Sequence, residues 1–214
     1  MIAYCISGLG ADERVFQALH LRYEIIPIKW LTPLTKESLQ EYCQRLIEQI
    51  DTRQPFLLIG VSFGGMIACE MNRYIQPYKT IIISSAAQAN ELPLSYKIMG
   101  KIQLAKWLPE FLLFPPMFAL NYLFDVKKAE HKILIKNISQ DTDPVFARWA
   151  IDQITHWKNH VIPVDLIRIH GDKDKVLSFY TPDTHVIKNG GHFMIVNRAE
   201  EISTIINKLT ITSR

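Results

Sequence analysis

One stretch limits what this chain can fold into: residues 55–66, reading PFLLIGVSFGGM. Its first half is an apolar run with a strand's length and composition. Its second half is Gly60-Val61-Ser62-Phe63-Gly64-Gly65. A helical pattern follows at once, with Met66, Ile67, Met71 and Tyr74 about one turn apart. A strand that enters a helix through Gly-x-Ser-x-Gly is the context of a nucleophile elbow. The turn is too tight for side chains on its flanks. Gly60 and Gly64 leave room for the backbone to bend, and Gly65 lets the helix pack close. Ser62 is left at the apex, with backbone N–H groups of the helix start facing the same point and favouring negative charge. Because glycine and serine each make up about 7% of residues, a chance match in a chain this long arises roughly one time in fifteen. The motif alone does not decide the matter, so the rest of the chain must.

The surrounding pattern alternates. Residues 2–6 read as a buried strand, followed by Ser7-Gly8-Leu9-Gly10 and a short helix with Asp12 near its start. Residues 23–28 form a second strand, with Pro27 marking an edge or strand end. Thr35 caps a helix reaching about Ile50, whose apolar positions Leu39, Tyr42, Cys43, Leu46, Ile47 and Ile50 make one stripe. Strands at 56–61 and 79–84 flank the elbow helix. This alternation predicts an α/β fold: a doubly wound, mostly parallel sheet flanked by helices. Residues 88–157 interrupt it. They contain no strand pattern and predict helices over 95–107, 110–123, 125–138 and 144–157, the last with Asp143 as its cap and Pro144 at its first position. Their apolar residues, among them Met99, Leu104, Phe111, Leu112 and Tyr122, suit a helical cap over the sheet. The sheet resumes at 164–170 and 184–188, and a terminal helix carries Ile202, Ile205, Ile206 and Leu209 on one face. No repeat or linker divides the chain, so a single domain, 1–214, with the insertion inside it is expected.

Composition closes off other classes. The chain has 214 residues, 48% hydrophobic and 21% charged, which suits one α/β domain with a sizeable core. A net charge of +3 without a basic cluster argues against a nucleic-acid partner. The longest uncharged run, 111–124, contains Pro115-Pro116 and is too short to span a bilayer. The N-terminus enters a strand directly and shows no signal-peptide pattern. Three scattered cysteines, Cys5, Cys43 and Cys69, read as reduced core residues of a cytoplasmic protein and hold no metal-binding spacing. No feature sets an oligomeric state.

In a doubly wound sheet, functional groups gather at the carboxyl ends of the strands. Here those positions hold Ser62, then Asp172 and Asp174, then His192, in the order serine, acid, base. A serine hydroxyl needs a base within reach, and the base needs an acceptor to fix its tautomer. Glu91 is a remote alternative acid. Asp172 fits better as a partner for loop amides. Ser84 and Ser85 cap strand ends, and the other six histidines, including His170, read as structural or surface residues.

At four stretches in the expected order, the chain resembles the α/β-hydrolase fold superfamily: Gly8-Leu9-Gly10 with the segment to Phe16, the Ser62 elbow, His170-Gly171-Asp172-Lys173-Asp174, and Gly190-Gly191-His192-Phe193. The resemblance implies that Ser62 is the nucleophile, Asp174 the acid and His192 the base. It also implies that the backbone N–H groups of Leu9 and Phe63 form an oxyanion hole. Two departures stand out. Ser7-Gly8 replaces the common His-Gly before the oxyanion loop, and the two leading antiparallel strands of larger members are absent. The expected activity is hydrolysis of a carboxylic ester or related acyl bond in a small, mainly hydrophobic substrate, with no cofactor and no metal. The alternatives are a lyase that uses the triad as a base, or a ligand-binding protein with vestigial catalysis. Gly8, Trp107, Phe118 and Trp149 are expected to line the substrate pocket.

Overall fold

The computed structural model describes residues 1–178 and 181–211; the expected apolar side chains of Phe111 and Leu112 lie outside the described residues. Six strands make one sheet: β1 (Ile2–Ile6), β2 (Glu24–Pro27), β3 (Phe56–Val61), β4 (Lys79–Ile83), β5 (Leu166–Gly171) and β6 (His185–Ile187). Their order is β2-β1-β3-β4-β5-β6, and every pairing is parallel. The expected edge role of the Pro27 strand matches its outermost place.

Register decides where the loops emerge. Ile6 lies beside Gly60, and Val61 beside Ile83. Loops starting at Ser7, Ser62 and Ser84 therefore leave the sheet at one level. Both faces of the sheet are buried, as parallel strands require. Tyr4, Ile6, Phe56 and Leu58 point to one core, shared with α1 (Leu39–Ile47) and α2 (Phe63–Met71). Ala3, Cys5, Leu57, Ile59, Ile81 and Ile83 point to the other, closed by a 3₁₀ turn at Glu13–Phe16 and by α10 (Ala199–Leu209). All three cysteines are free and buried, and burial pushes their thiols up, away from reactivity.

Local chemistry corrects three boundaries. The cap of α1 is Ser38, not Thr35: its hydroxyl accepts from the Glu41 N–H while the Glu41 carboxylate accepts from the Ser38 N–H. Helix α2 stops at Met71, so Tyr74 lies beyond it and is exposed. The segment between β4 and β5 is more fragmented than its periodicity predicts, with α3 (Leu94–Lys101), α4 (Leu104–Trp107), α5 (Glu110–Leu113), α6 (Met117–Leu123), α7 (Ala129–Asp141) and α8 (Pro144–Thr155). A left-handed Gln103, φ 52°, separates α3 from α4. Pro115-Pro116 cuts the expected 110–123 helix, because proline lacks the N–H that would continue it. Asp143 caps α8 with Pro144 in its first turn, as the sequence indicates. Helix α9 (Met194–Asn197) precedes α10.

Candidate active site

Ser62 occupies the step from β3 into α2 with φ 53° and ψ −121°, a conformation that costs a non-glycine residue on the order of 1–3 kcal/mol. Its neighbours hold it there. The Ser62 N–H donates to the Ile83 carbonyl at 3.0 Å, and the Ser85 hydroxyl donates to the Ser62 carbonyl at 2.6 Å. A Cβ on Gly60 would collide with the Gly64 backbone, and one on Gly64 with the carbonyls of Ile6 and Ser7. At Gly65 the obstacle is the Ser85 side chain. The elbow is thus wedged between the ends of β1 and β4.

The loop after β6 brings His192 to Ser62. The distance from His192 Nε2 to Ser62 Oγ is 2.9 Å, and from Nδ1 to Asp174 Oδ2 it is 2.7 Å. A carboxylate only accepts, so Nδ1 carries the proton and Nε2 is left to accept from the Ser62 hydroxyl. Asp174 follows β5. Its Oδ1 accepts from the N–H groups of Val176 and Leu177, each at 2.8 Å. Burial works against the ionised carboxyl, but His192, the Leu177 amide and His170 outweigh it and hold Asp174 below the ordinary carboxylate range.

The alternative acids are engaged elsewhere. Asp172 accepts from the Asn189 N–H. Glu91 is buried and forms a two-pronged ion pair with Arg168. His170, read from sequence as an ordinary structural or surface residue, lies beside Asp174. Its Nε2 is 3.4 Å from Asp174 Oδ2 and donates to the Leu177 carbonyl. Burial lowers its proton affinity against the opposing pull of Asp174, so the ring is held neutral.

Gly8 packs against the elbow, since a Cβ there would lie 3.2 Å from Ser62 Cβ. The loop carrying Leu9 is therefore in contact with the serine. Neither the Leu9 N–H nor the Phe63 N–H has a hydrogen-bond partner among the described residues. A cavity of about 360 Å³ opens on this point, within the range of small-molecule sites. Gly8, Leu9, Ser62 and His192 form its polar end; Tyr96, Met99, Leu120, Phe124, Ile138 and Ile154 are among its walls. No Asp, Glu, Lys or Arg lines it among the described residues.

Three expected wall residues are elsewhere. Trp107 and Phe118 are 78% and 77% exposed. In α4 the inward residue is Ala105 and in α6 it is Leu120. Two positions along a helix is about half a turn round, so Trp107 and Phe118 face out. Trp149 packs its ring on Tyr42 at 4.3 Å, donates its N–H to the Glu37 carbonyl and borders a separate cleft. Arg148 donates to the carbonyls of Ala105 and Leu108 and borders the same separate cleft as Trp149.

The stretch after α6 also touches His192. The Phe124 ring lies 5.3 Å from the His192 ring and is stacked on Phe193, whose N–H donates to the Phe124 carbonyl. A Cβ on Gly191 would collide with Asp125. Lys175, next to Asp174, lies 3.6 Å from the Tyr122 ring and donates to the Tyr122 carbonyl.

This sheet, with its strand-to-helix serine step, is the α/β-hydrolase fold. The chain is similar to solved structures along nearly its whole length. An esterase from Exiguobacterium antarcticum superposes with a TM-score of 0.76 at 18% identity, covering 99% of this chain and 92% of that one. MenH from S. aureus gives 0.73 at 16% identity, with 98% and 92% covered. A thermophilic esterase from Thermogutta terrifontis gives 0.71 at 13% identity, with 97% and 88% covered. No family model and no curated protein matches the sequence.

Proposed function

We propose that this protein is a serine hydrolase acting on a carboxylic ester or related acyl bond of a small, mainly hydrophobic substrate. One observation carries the reading: His192 lies within hydrogen-bond distance of both Ser62 and Asp174, at the mouth of an uncharged cavity. Ser62 Oγ attacks the acyl carbonyl while its proton passes to His192 Nε2. The carbonyl oxygen, now anionic, takes hydrogen bonds from the N–H groups of Leu9 and Phe63. His192 then protonates the leaving alcohol, and an acyl-Ser62 ester remains. Water, deprotonated by His192, attacks this ester and releases the carboxylic acid and free Ser62. Asp174 stays ionised throughout and stabilises the imidazolium. Side chains and amides supply every proton transfer and charge contact, so the reading assigns no metal and no organic cofactor.

The cavity favours substrates uncharged on both sides of the ester, because an ion moved into apolar surroundings loses solvation without gaining a partner. The esterases among the similar structures support the same reaction class. In this reading residues 1–214 form one domain, 88–157 are its cap, and the partner is a small acyl compound rather than nucleic acid. Among the described residues no helix is long and apolar enough to cross a membrane. Three buried free thiols fit a cytoplasmic protein.

The test is a fluorophosphonate probe read by mass spectrometry, followed by p-nitrophenyl esters of increasing chain length. Labelling at Ser62 that disappears in Ser62→Ala and His192→Ala, together with turnover of at least one ester, is expected. Labelling without turnover of any ester would favour non-hydrolytic chemistry at the same serine. A wild-type protein that the probe leaves unmodified would overturn the reading.

A further inference from the structure

The loop that carries Leu9 is held by something other than its own backbone. Ser7 is 2% exposed and donates its hydroxyl to the Ala11 carbonyl at 2.8 Å. The Trp30 indole N–H points into the same place, 2.8 Å from Ser7 Oγ and 3.1 Å from the Ala11 carbonyl. Two donors thus meet one carbonyl, and the indole also bonds the hydroxyl beside it. These bonds tie the two ends of the turn Ser7-Gly8-Leu9-Gly10-Ala11, whose middle is otherwise closed by one bond from the Ala11 N–H to the Gly8 carbonyl and by a left-handed Gly10, φ 68°.

The same indole reaches the other side of the site. Its ring is stacked on Phe63, with centroids 5.8 Å apart and planes 20° from parallel. Phe146 of α8 packs on it at 4.8 Å, and Tyr42 of α1 at 6.4 Å. Trp30 comes from the segment after the edge strand β2 and is near neither motif in sequence.

We propose that Trp30, acting with Ser7, is the positioning residue of the oxyanion site, holding the Leu9 loop by hydrogen bonds and Phe63 by stacking. This rests on the hydrolase reading given above. Two amides from different elements act on one oxygen only if their separation is fixed before the charge appears. Trp30 is the one side chain among the described residues that contacts both the Ser7–Ala11 turn and Phe63 through a polar and an apolar contact at once. Its hydrogen bonds go to Ser7 and Ala11 and its ring packs on Phe63, Phe146 and Tyr42, so its effect passes through the amides.

Trp30→Phe keeps an aromatic ring and deletes the N–H; Ser7→Ala deletes the hydroxyl. Each is expected to lower kcat by about 10- to 100-fold, the effect of a displacement near 1 Å, with KM unchanged within a factor of about two. The double variant is expected to lose little more than either single one, because both changes open the same network. Affinity for a boronic acid, whose tetrahedral adduct places an oxygen at the oxyanion site, is expected to fall in parallel with kcat. Hydrogen exchange of the 7–11 peptide is expected to rise in both variants while that of β3 stays constant, which separates a loosened loop from a misfolded chain. Variants with wild-type kcat, boronate affinity and 7–11 exchange would overturn the proposal. So would a kcat loss accompanied by faster exchange throughout β3, the mark of a general packing role. Failure of the hydrolase reading appears separately, as a wild-type protein that neither labels nor turns over.

Discussion

Arg168→Met tests the buried ion pair that ties the turn after β4 to β5. Arg168 lies in β5 and is 6% exposed; Glu91, in the 3₁₀ turn after β4, is 4% exposed. The guanidinium donates from both terminal nitrogens, at 3.0 and 2.9 Å, to the two oxygens of Glu91. One of those oxygens also accepts from the Ala87 N–H at 2.7 Å. Methionine preserves most of the volume of the arginine stem but removes all its donors. The carboxylate then keeps a single amide partner and no route to water. Breaking a buried pair from one side costs about 3–5 kcal/mol, most of it the desolvation of the charge left behind. In a domain of this size each kcal/mol moves Tm by about 2–4 °C, so a fall of roughly 6–20 °C is expected by scanning calorimetry. Glu91→Gln added to Arg168→Met removes the stranded charge yet still lets an amide oxygen accept from Ala87. The double variant is therefore expected to be more stable than Arg168→Met alone. A single variant within about 1 kcal/mol of wild type, the range of exposed pairs, would refute the reasoning. A double variant less stable than the single one would do the same.

Other outcomes follow from the same geometry. His170 is held neutral in the fold, whereas the unfolded chain takes up a proton near the ordinary histidine value of about 6.5. The native state is therefore favoured fully above that pH and progressively less as pH falls below it. His170→Gln keeps a donor for the Leu177 carbonyl and is expected to flatten the decline of Tm between pH 7.5 and 5.5; an unchanged slope would count against the assignment. Met99→Trp, on the cavity wall, is expected to cut kcat/KM for the longest accepted p-nitrophenyl ester by at least about 10-fold, a methylene or more of lost room, and to spare the acetate. Gly100→Ala puts a methyl group against the Thr155 carbonyl where α3 meets α8, and is expected to cost about 1–3 kcal/mol in urea unfolding.

What could be read from the sequence was what steric necessity or period imposes. The elbow glycines were readable because a Cβ at Gly60 or Gly64 strikes backbone, which cannot yield. The sheet was readable because its strands are apolar on both faces. Ser62, Asp174 and His192 could be nominated because each follows a strand of one parallel sheet, and the register, with Val61 beside Ile83, Ile83 beside Ile169 and Gly171 beside Ile187, puts those strand ends on one edge. The cavity walls between β4 and β5 could not be placed. Helices of four to eight residues, such as α3, α4 and α6, carry apolar groups all round, so Trp107 and Phe118 compete on equal terms with the residues that turn inward. The α1 cap shows a signal passed over: Thr35 and Ser38 both suit the position, but only Ser38 has an acid, Glu41, three residues on. Trp30 and His170 depend on contacts between distant elements. The one local hint at the first was Ser7, standing where a histidine is common.

Gly191 has no room for a side chain because Asp125 fills that space, and Phe124 covers the imidazole that Gly191 precedes. The place of His192 is therefore set from above as well as from the sheet below. Transplanting the segment between β4 and β5 from a similar structure onto this scaffold would carry off the surface against which His192 rests. A chimera that retained Phe124 and Asp125 with the recipient's last loop would keep the contacts of His192, and one that exchanged them would need a new loop to match.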